Sequence, residues 1–204
     1  MSIDAREPAR YDARMAQVMA APEPYRFTRE DYYRMGEAGL FEGKRVELLD
    51  GAIVAMSPQS SPHASAVMQA QYALIRAVGS AFLVRVQLPI VLDHWSEPEP
   101  DLAVCLPDPA RYQHGHPIPS QVAMVVEIAL SSLAYDREQK GSAYARAGIP
   151  VYVVEDVEER VADVLSDPDP VAGTYRRRDA KAESDLLHLP GGASVAVAEL
   201  LPPR

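Results

Sequence analysis

Val122-Ala123-Met124-Val125-Val126-Glu127-Ile128 carries one charge in an otherwise apolar run, and its reading decides the fold. A continuous run of this length without alternation fits a central strand covered on both faces. Downstream, residues 134–147 keep helical spacing and end at Gly148, a good helix C-cap because it has no Cβ to clash at positive φ. Pro150 then leads into Val151-Tyr152-Val153-Val154, a second strand. Strand, helix and strand make one βαβ unit, and such crossovers are right-handed with parallel strands.

Working outward, Arg45 to Met56 reads as a hairpin, with Asp50-Gly51 the favoured pair for a tight primed turn. Before it, Thr28 is placed to cap a helix, with Asp31 at its third position and Phe27 able to staple onto Tyr32; the helix should stop near Gly36 or Gly39. After the loop of residues 57–62, a helix from His63 carries Ala66, Val67, Ala70, Ala73, Leu74, Ala77 and Val78 at helical spacing. Residues 82–92 are β-rich, with Phe82, Val84, Val86 and Leu88 alternating against Leu83, Arg85 and Gln87. Asp101 to Leu106 is a short buried strand. Weaker strands follow near residues 160–165, 174–178 and 186–189, then a terminal turn of helix. This order predicts an α/β domain over residues 25–204, a mixed central β-sheet flanked by helices. Residues 1–24 read as an N-terminal arm with a short helix at 13–19.

The chain has 204 residues and a net charge of −9. Nothing in it approaches the apolar length of a membrane helix, and the first residues lack a signal-peptide core. The single cysteine, Cys105, excludes an internal disulfide and fits a reducing, cytoplasmic setting; its apolar neighbours mark it as a small buried hydrophobe. The acidic balance is wrong for a general nucleic-acid coat, whose affinity comes from neutralising phosphates. It leaves room for an enzyme whose carboxylates are masked by a divalent cation.

Three acids stand where an acid is costly. Glu127 follows five apolar residues, Asp101 opens an apolar strand, and Glu47 faces away from Val46 and Leu48. A buried charge needs a paired base or a metal. Carboxylates converging in one sheet would make a hard-oxygen site for magnesium or manganese. Asp136, Lys140 and Tyr144 fall at i, i+4 and i+8 on the crossover helix, so one face could direct an ammonium to that site. The alternative is structural: Asp101 and Glu127 paired with arginines such as Arg45 or Arg85, Glu47 an exposed strand residue, and Lys140 bridging Asp136 on its helix. His94, His114 and His116 lack the company a zinc site requires. Arg176-Arg177-Arg178 is the only dense basic cluster and reads as a solvated strand offsetting acidic surface.

Pro100-Asp101 followed by Glu127 resembles the Pro-Asp … Glu-x-Lys signature of the PD-(D/E)XK nuclease superfamily. With Arg45-Val46-Glu47-Leu48-Leu49-Asp50-Gly51, Met56-Ser57-Pro58 and His63, and Asp136…Lys140…Tyr144 to Pro150, the chain resembles the Uma family of restriction endonucleases. The resemblance implies a restriction-endonuclease-like fold. It also implies Asp101 and Glu127 as ligands of Mg2+ or Mn2+, with Glu47 as an additional acid. Ala129 occupies the usual place of the signature lysine, and the resemblance moves that role to Lys140. Catalytic residues would then be Glu47, Asp101, Glu127 and Lys140, with His63, Asp136 and Tyr144 at the site edge. The substrate implied is DNA, double-stranded, cut by a homodimer. A nuclease-fold binding protein without cleavage and a metal-dependent hydrolase of smaller phosphoesters are the rival readings.

Overall fold

The computed structural model describes residues 23–130 and 132–203, so the N-terminal arm up to residue 22, with its expected helix at 13–19, lies outside the described residues. The first element is α1 (Arg29–Glu37), capped as expected. The Thr28 side chain accepts from the Asp31 amide, and the Asp31 carboxylate accepts from the Thr28 amide. The aromatic contacts differ from the expected staple: Phe27 meets Tyr25, and Tyr32 meets Phe41.

β1 (Val46–Leu49) and β2 (Ala52–Ala55) pair only with each other as strands, joined by Asp50 and Gly51 at φ of 52° and 78°. Two successive residues at positive φ make the type I′ turn that the Asp-Gly pair demands. A long helix, α2 (Ser61–Val78), follows, capped by Ser60. Then come β3 (Leu83–Val86), β4 (Leu102–Cys105) and β5 (Val122–Ala129). β3 is shorter than the alternation of residues 82–92 suggested, because Gln87 turns to φ 51° and takes the chain out of the sheet.

The crossover expected as one helix is a short α3 (Leu133–Tyr135), a π-turn over Asp136–Lys140 and α4 (Gly141–Arg146). A π-turn inside a helix widens the backbone ladder and often marks a functional position. Here it is fixed from outside, because the Tyr152 hydroxyl donates to the Asp136 carbonyl at 2.9 Å. β6 (Val151–Asp156), β7 (Val161–Asp169) and β8 (Thr174–Ala182) complete a six-stranded sheet in the order β3-β4-β5-β6-β7-β8. Only β5 and β6 are parallel, as the βαβ reading requires. A small hairpin of β9 (Leu186–His188) and β10 (Ser194–Ala196), the latter unexpected, leads to the terminal turn α5 (Val197–Leu200).

The sheet is covered on both faces, which is why β4, β5 and β6 read as apolar runs. On one face Ala66 and Leu74 of α2 and Val197 and Leu200 of α5 pack with Leu102, Val126 and Ile128 of the sheet; on the other, Val125, Tyr144, Tyr152 and Val154 pack together. Cys105 is fully buried, and burial pushes its thiol up to about 11, an inert hydrophobe as anticipated. No helix among the described residues is long and apolar enough to cross a membrane.

Candidate active site

Strand register builds the site. Val86 pairs with Leu102, and Leu102 with Val126. One step along each strand therefore sets Gln87, Asp101 and Glu127 in a row across three neighbouring strands. Paired residues in a sheet project to the same side. Asp101 and Glu127 are thus neighbours, and the Asp101 amide donates to Glu127 Oε2 at 3.3 Å.

Glu127 is 3% exposed. Its Oε1 accepts from Lys140 Nζ at 3.0 Å and from the Tyr144 hydroxyl at 2.8 Å, the first from the end of the π-turn and the second from α4. Lys140 also lies 3.5 Å from Glu47 Oε1, while Glu47 Oε2 accepts from the Glu99 amide at 3.0 Å. The hairpin thereby delivers the third acid: Glu47 is buried against the lysine and is not an exposed strand residue. Asp136 is buried as well and accepts from the Ser132 hydroxyl.

Asp101 is held by three elements at once. Its Oδ2 accepts from the Ile128 amide at 2.9 Å and lies 3.1 Å from His63 Nε2; its Oδ1 accepts from Gln87 Nε2 at 3.2 Å. His63 thus belongs to the site through its ring, while the capping of α2 falls to Ser60. The proposed pairing of these acids with arginines is absent among the described residues: Arg45 holds Glu99, and Arg85 lies over the Tyr112 ring.

The electrostatics follow from burial. Burial pushes Glu127 up to about 8, with Lys140 opposing the shift. For Lys140, burial disfavours the charge, but Glu127, Glu47 and Asp136 outweigh it and keep the ammonium well above its usual range. Burial alone would raise Asp101, yet hydrogen bonds from His63, Ile128 and Gln87 bring it below the ordinary carboxylate range. His63 is raised, chiefly by its hydrogen bond to Asp101. The row therefore contains an ionised aspartate beside a glutamate strongly dependent on nearby positive charge.

A cavity of about 430 Å³ opens over these groups, lined by Glu47, His63, Asp101, Glu127, Asp136 and Lys140. Tyr144 stands behind Glu127. The lining also includes Arg45, Gln87, Glu99, Ser132 and Tyr135, which sequence reading did not single out for the site. Gln87 was legible only as a polar alternate in a strand; its place opposite Asp101 required the register.

Among the described residues, no group of three or more His, Cys, Asp or Glu side chains is arranged to hold a metal ion by itself. The three acids are instead drawn in part around the Lys140 ammonium. Magnesium, however, is usually held by one or two carboxylates, with waters and substrate phosphates completing its shell. The hard oxygens of Asp101 and Glu127, adjacent across one strand pair, suit that demand. Glu127, buried and deprived of solvation, gains from any further cation.

Residues 29–198 match the family Uma2, described as a putative restriction endonuclease. Among solved structures, the chain is similar to a putative nuclease belonging to DUF820 from Anabaena variabilis ATCC 29413. That likeness has a TM-score of 0.65 and 13% identity, covering 85% of this chain and 97% of the other. No curated protein matches the sequence.

Proposed function

Because the chain belongs to the Uma2 family of putative restriction endonucleases and its buried acids line one cavity, we propose that it is a metal-dependent endonuclease hydrolysing DNA phosphodiester bonds. The observation that carries the reading is the Asp101–Glu127 pair, joined across neighbouring strands with Lys140 3.0 Å from Glu127. Asp101 and Glu127 would hold Mg2+ or Mn2+, with Glu47 supporting them. A divalent cation, when bound, lowers the pKa of a coordinated water and offsets charge developing on the phosphorus oxygens. Lys140 has three N–H donors, of which Glu127 takes one while Glu47 is an ion-pair partner at 3.5 Å, so a donor would remain for the attacking water or a phosphate oxygen. Tyr144 fixes the Glu127 carboxylate, and His63 sits beside Asp101 at the cavity wall. The substrate would be double-stranded, and two copies of the chain would serve its two strands.

One observation favours a second reading, a nuclease-fold binding protein that does not cut. Arg29, Arg34, Arg45, Arg76, Arg137, Arg146, Arg160, Arg176 and Arg178 each hold a carboxylate. Among the described residues, few cations are thus left to neutralise a phosphate backbone.

Titrating the purified protein with Mn2+ and assaying supercoiled plasmid in its presence separates the two. The nuclease reading expects binding and nicking by the wild type and neither by Asp101→Ala. Cleavage retained by Asp101→Ala rules the assignment out, and metal binding without cleavage of DNA favours the second reading.

A further inference from the structure

We infer that Gln87 is a positioning residue for Asp101, its amide pinning one carboxylate oxygen while its backbone is held in an unfavourable conformation; this rests on Asp101 serving as a metal ligand.

Gln87 grips its cross-strand neighbour twice. Its amide N–H donates to the Asp101 carbonyl at 3.0 Å, and its side-chain Nε2 donates to Oδ1 at 3.2 Å. The Oδ2 atom is already fixed by Ile128 and His63. Among the described residues Gln87 is therefore the donor to the other oxygen, and without it the carboxylate could pivot about its fixed end. Such a pivot would move the lone pairs a cation needs. Residues hydrogen-bonded to metal ligands set ligand direction in this way, and losing one typically weakens metal binding ten- to a hundredfold.

The backbone strengthens the argument. Gln87 sits at φ 51°, in the left-handed region that an unbranched residue with a Cβ rarely adopts. Glycine would serve the turn better, since the chain only has to leave the sheet and run on through Leu88 and Pro89. A side chain kept where glycine is preferred points to a use for that side chain. Gln87 lines the cavity with Asp101. A purely structural turn would not require an amide there.

These two roles make opposite predictions for Gln87→Gly. If Gln87 only shapes the turn, glycine is neutral for the site. If it positions Asp101, glycine leaves the fold as stable as the wild type, or more so, while Mn2+ affinity falls at least tenfold. Gln87→Met keeps the strained backbone and the side-chain length but removes the donor, and it should show the same loss of affinity without the gain in stability. Calorimetric Mn2+ titration and urea unfolding of the full chain read both quantities. If the wild type binds Mn2+ and both variants bind as tightly, the inference fails while the metal site stands. If the wild type does not bind Mn2+, the metal reading fails and takes the inference with it.

Discussion

Glu155 offers the sharpest test of how this sheet handles buried charge. It is fully buried in β6, and neither carboxylate oxygen has a hydrogen-bond partner among the described residues. Burial, with the charge of Asp101 adding to it, pushes its pKa from an ordinary 4.5 to about 8, and Arg160, itself paired with Glu183, opposes the shift. Between those two values the folded chain keeps a proton that the unfolded chain has released. A folded-state pKa raised above the unfolded one means stability falls as pH rises through this window and levels off above about 8. Each pH unit is worth about 1.36 kcal/mol, so Glu155 costs the fold about 3 kcal/mol at pH 7 relative to pH 4.5. Glu155→Gln retains the shape and removes the titration. Urea unfolding of both proteins at pH 5, 7 and 8.5 should show the variant gaining on the wild type by about 3 kcal/mol or somewhat more across the series. Comparing differences at several pH values cancels the constant cost of burying an amide, and it cancels Glu127, which both proteins share. Stability curves that stay parallel from pH 5 to 8.5 would refute the reasoning, because Glu155 would then be ionised or solvated in the folded state.

Lys140→Met keeps the length of the side chain but strips the cation from between Glu127 and Glu47, leaving two acids buried without it. Breaking a buried pair by removing one partner costs about 3–5 kcal/mol, so metal-free Lys140→Met should unfold at markedly lower urea; a loss below about 1 kcal/mol would mean that the acids were not relying on the lysine. Gly51→Ala should destabilise the chain by more than about 1 kcal/mol. It forces a Cβ onto φ 78° and brings it 2.6 Å from Arg26 Cβ. Wild-type stability of this variant in urea would show that the β1–β2 turn is not held as described.

The legible parts of this molecule are those where one local rule governs. Val122–Ile128 reads as a strand covered on both sides, and Asp50-Gly51 as a primed turn with two positive φ values; both readings rest on local chain chemistry. The acids were legible for a related reason, since a charge at the end of an apolar run is an anomaly wherever the strand ends up. What sequence could not supply is register. Alternation through residues 82–92 implies a strand to the end, yet β3 stops at Val86, where Gln87 turns to φ 51° and donates to Asp101 across the pair. Likewise, the even spacing of Asp136, Lys140 and Tyr144 hides a π-turn whose Asp136 carbonyl also accepts from Tyr152 in the next strand. In both places a tertiary hydrogen bond accompanies the departure from the local pattern, and in both the departure lies within reach of Asp101 or Glu127. At these two positions local rules yield beside the acids, so a failed sequence pattern there points toward the candidate site.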